Sequence, residues 1–170
     1  MTTQPSDRTP FYRLDNFVAG NSVGYLLKTA SNLMQPALES AFTDSDLTVV
    51  QWKVLMYLRD DIASTCKEIS HDLPYDPGSL TRVVDDLERK GYLKRDRNAA
   101  DRRVVSLILT DAGRDAVQAA IPRVIAVVNA LLAGFSEKEA HTLVDLLVRF
   151  IAALRTLRKD GLPLPPQEKT

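Results

Sequence analysis

Apolar residues recur at three- and four-residue steps along most of this chain and alternate in only one short place. From Tyr12 to Phe42 the series Leu14, Phe17, Val18, Tyr25, Leu26, Ala30, Leu33, Ala37 and Ala41 keeps mostly to helical steps. Pro36 sits inside it and removes a backbone donor. A kink near Asn32 to Pro36, or two successive helices, is therefore expected. The stretch is apolar on more than one side, which leaves a face for a partner subunit. Thr48 and Gln51 form a capping box, with Leu47 and Trp52 at the flanking staple positions. That predicts a helix from Val49 to about Arg59, burying Trp52, Leu55 and Met56. A second box, Thr65 and Glu68, opens a short helix from Cys66 to about His71, and Pro74 stops it.

The next stretch organises the rest. Asp76 is a good N-cap and Pro77 a good first helical residue. Leu80, Val83, Val84 and Leu87 make the stripe of a core-facing helix, and Gly91 lies where a C-terminal cap belongs. Tyr92 to Arg95 reads as a short strand. Val104 to Leu109 alternates, with Val105, Leu107 and Leu109 on one face. Thr110 caps a long helix from about Ala112 to Ala133, bent at Pro122 and ended by Gly134. Ser136 and Glu139 open a last helix to about Arg158, striped with Leu143, Leu146, Leu147, Phe150, Ile151, Leu154 and Leu157. Residues 1–10 and 161–170 read as flexible tails.

Composition adds little to this pattern, but charge placement adds much. The chain of 170 residues is 45% hydrophobic, enough for a sizeable core, and its formal net charge is zero. A nucleic-acid partner must therefore be argued from segregated charge. Between Arg89 and Arg103 the cations Arg89, Lys90, Lys94, Arg95, Arg97, Arg102 and Arg103 face only Asp96 and Asp101. Such a local excess suits phosphate, whose neutralisation releases counterions. A solvated hairpin is the bland alternative on charge alone. The outer face of the preceding helix carries Ser79, Thr81 and Arg82 on a small, polar first turn that a duplex can approach closely. Asp85 and Asp86 would repel a phosphate backbone, so contact should fade beyond the first two turns. A polar N-terminus without an apolar signal core, and no apolar run of membrane-spanning length, point to a soluble, cytoplasmic protein. No phosphate-binding glycine loop, nucleophile elbow or His/Cys/carboxylate cluster points to an enzyme. Nothing calls for a metal or other cofactor.

The order of parts is a capped short helix, a turn, a second capped helix, a strand, a basic loop and a strand. That is a winged helix-turn-helix. The run DLERKGYLKRDRNAADRRVVSLILTDAG resembles the signature of the MarR family of transcription regulators. Its shared elements are Lys90-Gly91, a strand ending in Arg95, Asp101-x-Arg103, Leu107-x-Leu109-Thr110 and Gly113. The resemblance implies a mainly α fold with a small β wing. It assigns 46–111 to the DNA-binding lobe and 11–42 with 112–158 to a helical dimerisation region. It further implies a homodimer on a pseudo-palindromic, double-stranded DNA operator, with reading helices in major grooves and wings in minor grooves. By position, Arg103 would enter the minor groove, Asp101 would orient it by an ion pair, and Arg95 would join that network. Arg97 and Arg102 would meet phosphates.

The resemblance also implies a repressor released by a small effector, commonly a phenolic or lipophilic acid. Asn16, Trp52 and Met56 are the candidates to line its pocket, although the staple already explains Trp52. Cys66, the only cysteine, suggests an oxidation-sensing alternative, because helix-terminal N–H groups can lower a thiol pKa. The plainer reading is a small, half-buried helix residue. A winged helix used for protein contacts, without an operator, is the remaining rival.

Overall fold

The computed structural model describes residues 11–73, 75–97 and 105–160. Among them are six α-helices and one two-stranded sheet. In order these are α1 (Val23–Ser40), α2 (Val49–Arg59), α3 (Cys66–Asp72), α4 (Pro77–Arg89), β1 (Leu93–Arg97), β2 (Val105–Leu109), α5 (Asp111–Leu131) and α6 (Glu137–Asp160). The chain divides into a unit of residues 1–127 and a unit of residues 128–170.

The first unit begins differently from expectation. No helix starts at Tyr12, because side-chain amides take the backbone groups that a helix would need. The Asn16 amide donates to the Phe11 carbonyl at 2.9 Å and accepts the Arg13 N–H at 2.7 Å. Asn21 donates to the Asn16 carbonyl at 2.7 Å. A single 3-10 turn, Ala19–Asn21, follows, and Ser22 then caps α1 by accepting the Tyr25 N–H. The Tyr12 hydroxyl clamps the join, accepting from Val23 N–H at 2.8 Å and donating to the Asn21 carbonyl at 2.7 Å. Beyond that point α1 continues through Pro36 as one helix, so of the two expected outcomes, a kink or two successive helices, the second does not occur. The carbonyl deprived of its donor belongs to Asn32, which is exposed and can turn to water.

The capping boxes at Thr48–Gln51 and Thr65–Glu68 form as the sequence predicts. The ends of α2 and α4 are closed alike. Ile62 N–H returns to the Tyr57 carbonyl, and Tyr92 N–H to the Leu87 carbonyl, each at 2.9 Å. Both closures need a left-handed residue. At α4 it is Gly91 (φ 75°); at α2 it is Asp61 (φ 52°), where a β-carbon makes the same conformation less favourable. Strands β1 and β2 pair antiparallel, with Leu93 opposite Leu109 and Arg95 opposite Leu107. Leu107 N–H also donates to the Ser64 carbonyl at 2.7 Å, anchoring the hairpin to the segment before α3. Leu55, Ile69, Leu80, Val84, Leu87, Leu93 and Val117 are almost wholly buried and form the core. Each such side chain contributes roughly 1.5–3 kcal/mol by leaving water. Gly113 is fixed by close packing, since a Cβ there would run into the Tyr92 carbonyl and the Leu109 side chain.

In the second unit, Ser136 N–H and Oγ–H donate to the Glu139 carboxylate at 2.8 and 2.7 Å, closing the third predicted box. Helix α6 follows for 24 residues without one buried residue among those described.

Candidate nucleic-acid interface

Helix α4 presents its outer face because the inner one is committed to the core. Leu80, Val84 and Leu87 are buried, while Ser79, Thr81 and Arg82 are exposed. At 3.6 residues per turn, Arg82 lies opposite that stripe, with Ser79 and Thr81 on its two flanks. Asp76 opens the helix, accepting the Ser79 N–H at 3.0 Å. These hydrogen bonds from Ser79 hold the Asp76 carboxyl below the usual carboxylate range. Among the described residues Arg82 makes no ion pair, whereas Arg89, the other arginine of α4, pairs with Asp86.

The acids of the second half of α4 do not stand free as the sequence suggested. Asp85 and Glu88 each take a guanidinium nitrogen of Arg95 from β1, both at 2.5 Å. Glu88 also accepts the Arg95 N–H at 3.0 Å. Burial works against the Arg95 charge, but the hydrogen bonds it donates to Asp85 and Glu88, with their negative charge, outweigh it and push the guanidinium pKa up. Arg95 thus joins the wing strand to α4; the expected network with Asp101 and Arg103 falls on residues outside those described.

Asp86 is held by Arg89, Lys90 and the carboxamide of Gln51. Gln51, only 6% exposed, is the residue whose importance the sequence understated. Its Oε1 accepts the Thr48 N–H at 3.0 Å as the capping box requires, while its Nε2–H reaches α4. Lys90 donates to the Asp46 carbonyl, and the Tyr92 hydroxyl donates to the Asp46 carboxylate, each at 2.5 Å. One capping glutamine therefore ties α2 to α4, while Asp46 holds Lys90 at the end of α4 and Tyr92 just before β1. A buried carboxamide must meet both its donor and acceptor needs, and the capping box announces only half of them.

The side chain of Arg97, and Asp101, Arg102 and Arg103 entirely, lie outside the described residues. Cys66 is half-buried. Burial pushes its thiol pKa up, with Asp85 adding to the effect and Arg95 opposing it. The lowering by the backbone hydrogen bond at Cys66 is smaller than the effect of burial. Of the three pocket candidates, Asn16 spends its amide on the turn at 11–21. Trp52 and Met56 lie one turn apart on α2 and are both half-buried. Trp52 packs on Phe42 with ring centroids 5.7 Å apart, and its indole N–H is buried with no hydrogen-bond partner among the described residues. A separate cavity of about 290 Å³ lies beside Arg123, Tyr92, Leu47 and the alanines of α5. No described helix is long and apolar enough to cross a membrane.

Known proteins resemble this arrangement. A family model described as the MarR family matches residues 47–105. The HTH-type transcriptional regulator YdcH of Bacillus subtilis is 34% identical over 122 residues, spanning 69% of this chain and 83% of its own. The wild-type MarR structure from E. coli aligns with a TM-score of 0.66 at 28% identity, covering 76% of this chain and 96% of that one. Bordetella bronchiseptica BpsR, whose DNA binding is regulated by 6-hydroxynicotinic acid, aligns with a TM-score of 0.65 at 27% identity, covering 79% and 96%.

Proposed function

The chain belongs to the MarR family of DNA-binding transcription regulators, and we propose that it is a homodimeric repressor of a pseudo-palindromic operator, released by a small acidic effector. The observation that carries this is the exposed outer face of the first two turns of α4, with Arg82 making no ion pair among the described residues, presented beside a braced hairpin. Arg97, Arg102 and Arg103 would extend the contact to phosphates and the minor groove, with Asp101 orienting Arg103. Repression requires only that a promoter be occupied. Two readers on one duplex need a fixed spacing, and a two-fold dimer supplies it.

The apolar surface of the helices supports the dimer. Leu131, Phe135, Leu143, Val144, Leu146, Ile151 and Leu154 are all exposed in the single chain. A single small domain seldom leaves so much uncovered. For the effector, the unanswered indole N–H of Trp52, with Met56 beside it, supports a site on α2 that receives an oxygen acceptor. The likeness to BpsR supports an aromatic acid.

The test is selection of duplexes from a randomised pool, followed by anisotropy titration against salt. A preferred inverted repeat and a steep loss of affinity with salt are expected. Uniform binding to all duplexes would leave the protein-contact reading in its place. Arg103→Ala should weaken operator binding without loss of helix content. 6-Hydroxynicotinic acid is the first effector probe. Release abolished by Trp52→Phe places the site on α2; release abolished instead by Arg123→Ala moves it to the cavity on α5.

A further inference from the structure

The hydroxyl groups of the reading turn are not free to act in both directions. Ser79 Oγ lies 2.5 Å from a carboxylate oxygen of Asp76. Thr81 Oγ1 lies 2.8 Å from the carbonyl of Pro77. Neither an ionised carboxylate nor a peptide carbonyl has a proton to give, so each hydroxyl must spend its only proton inward. The Asp76 carboxyl is held below the usual carboxylate range, which keeps it an acceptor at neutral pH. What Ser79 and Thr81 show to the outside is therefore lone pairs alone. Between them Arg82 is exposed and without an ion pair among the described residues, and it can only donate.

The outward edge of the turn thus has a fixed polarity of acceptor, donor fork, acceptor. In the major groove a guanidinium fork matches the O6 and N7 acceptors of guanine, while an acceptor matches the amino group of adenine or cytosine. Thymine offers no donor there. We propose that Arg82 reads a guanine in each half-site, and that Ser79 and Thr81 select neighbouring bases carrying an exocyclic amino group in the major groove. This rests on the operator-binding reading above and adds what the operator must contain.

The experiment uses the full chain and the duplex recovered from a randomised pool. Replacing the selected guanine with 7-deazaguanine deletes N7 and nothing else from the base's recognition edge. Wild-type affinity should fall about ten-fold, and Arg82→Ala should bind the natural and modified duplexes equally. Arg82→Gln should move the preference at that position from guanine to adenine, whose N6 and N7 suit a carboxamide. A merely structural role for Arg82 could not produce that switch. Ser79→Ala and Thr81→Val should each lose discrimination against a neighbouring base stripped of its amino group. If the wild type prefers one duplex but ignores 7-deazaguanine, or if Arg82→Ala stays sensitive to it, the base assignment is overturned and operator binding stands. If no duplex is preferred at all, both fall.

Discussion

Helices α4 and α6 are both amphipathic and both begin with a well-made cap, yet one is finished by its own chain and the other is not. Helix α4 buries Leu80, Val84 and Leu87 and has its acids answered by Arg95, Gln51 and Lys90. Helix α6 is nearly twice as long and buries nothing among its described residues. Local capping is therefore no measure of how complete a helix is. What differs is the supply of neighbours within one chain. A lobe that satisfies its own polar groups can hold an edge still, whereas the uncovered apolar face of α6 is the surface given to the proposed dimer.

The sharpest way to break this contrast is to charge α6. Leu146→Glu with Leu154→Glu should leave the lobe folded, since both residues are exposed. It should convert the proposed dimer to monomer and lower affinity for the proposed operator by about 100-fold or more, through loss of the linked second reader. Sedimentation and anisotropy would show this; an unchanged dimer would mean that α6 is not the seam. The opposite change strikes the finished side. Gly113→Ala, forced against the Tyr92 carbonyl, should cost roughly 1–3 kcal/mol or more in denaturant unfolding. Gln51→Ala removes the tie between α2 and α4 and leaves Asp86 a partner short, which should cost about 1–3 kcal/mol.

Smaller effects refine the picture. Hydrogen bonds from Ser64 and then Thr65 hold the Glu68 carboxyl below the usual range. Its folded pKa is lower than its unfolded one, so this stabilisation is present above the ordinary carboxylate range. It is lost as pH falls through the depressed value. Glu68→Gln should flatten the acid side of the stability profile, an effect readable by thermal melts taken from neutral pH down through and below the ordinary carboxylate range. Smallest and opposite in sign, Asp61→Gly should relieve the left-handed C-terminal position of α2 and raise stability by up to about 1 kcal/mol. A loss of stability there would show that the Asp61 side chain has a role beyond its backbone.

Much of the fold was legible because its signals are local. Capping boxes, Asp76-Pro77, Gly91 and the alternation through Leu107 and Leu109 each act within a few residues, and each marks an element where it stands. The failure at Tyr12 came from Asn16 and Asn21, whose amides outcompete an otherwise helical apolar spacing. At the site, exposure of Ser79, Thr81 and Arg82 followed from periodicity. The pairing of Arg95 with Asp85 and Glu88 did not, because it depends on how the hairpin folds back over α4. Gln51 was visible as a cap, but its second hydrogen bond spans 35 residues and has no local trace. Cys66 is half-buried, as its plainer reading has it, but the burial that raises its thiol pKa is tertiary and has no local trace.

The bracing of α4 by Arg95 bears on how such a regulator changes its target over evolutionary time. The second half of the helix answers to the wing, and a substitution at Asp85 or Glu88 disturbs the hairpin whatever it does for DNA. Over the first two turns, Ser79 and Thr81 bond only to Asp76 and Pro77 and Arg82 makes no ion pair, among the described residues. Positions 79, 81 and 82 can therefore change without disturbing the pairing of Arg95 with Asp85 and Glu88. An engineer retargeting this protein has the same three positions to vary and the same two acids to leave alone.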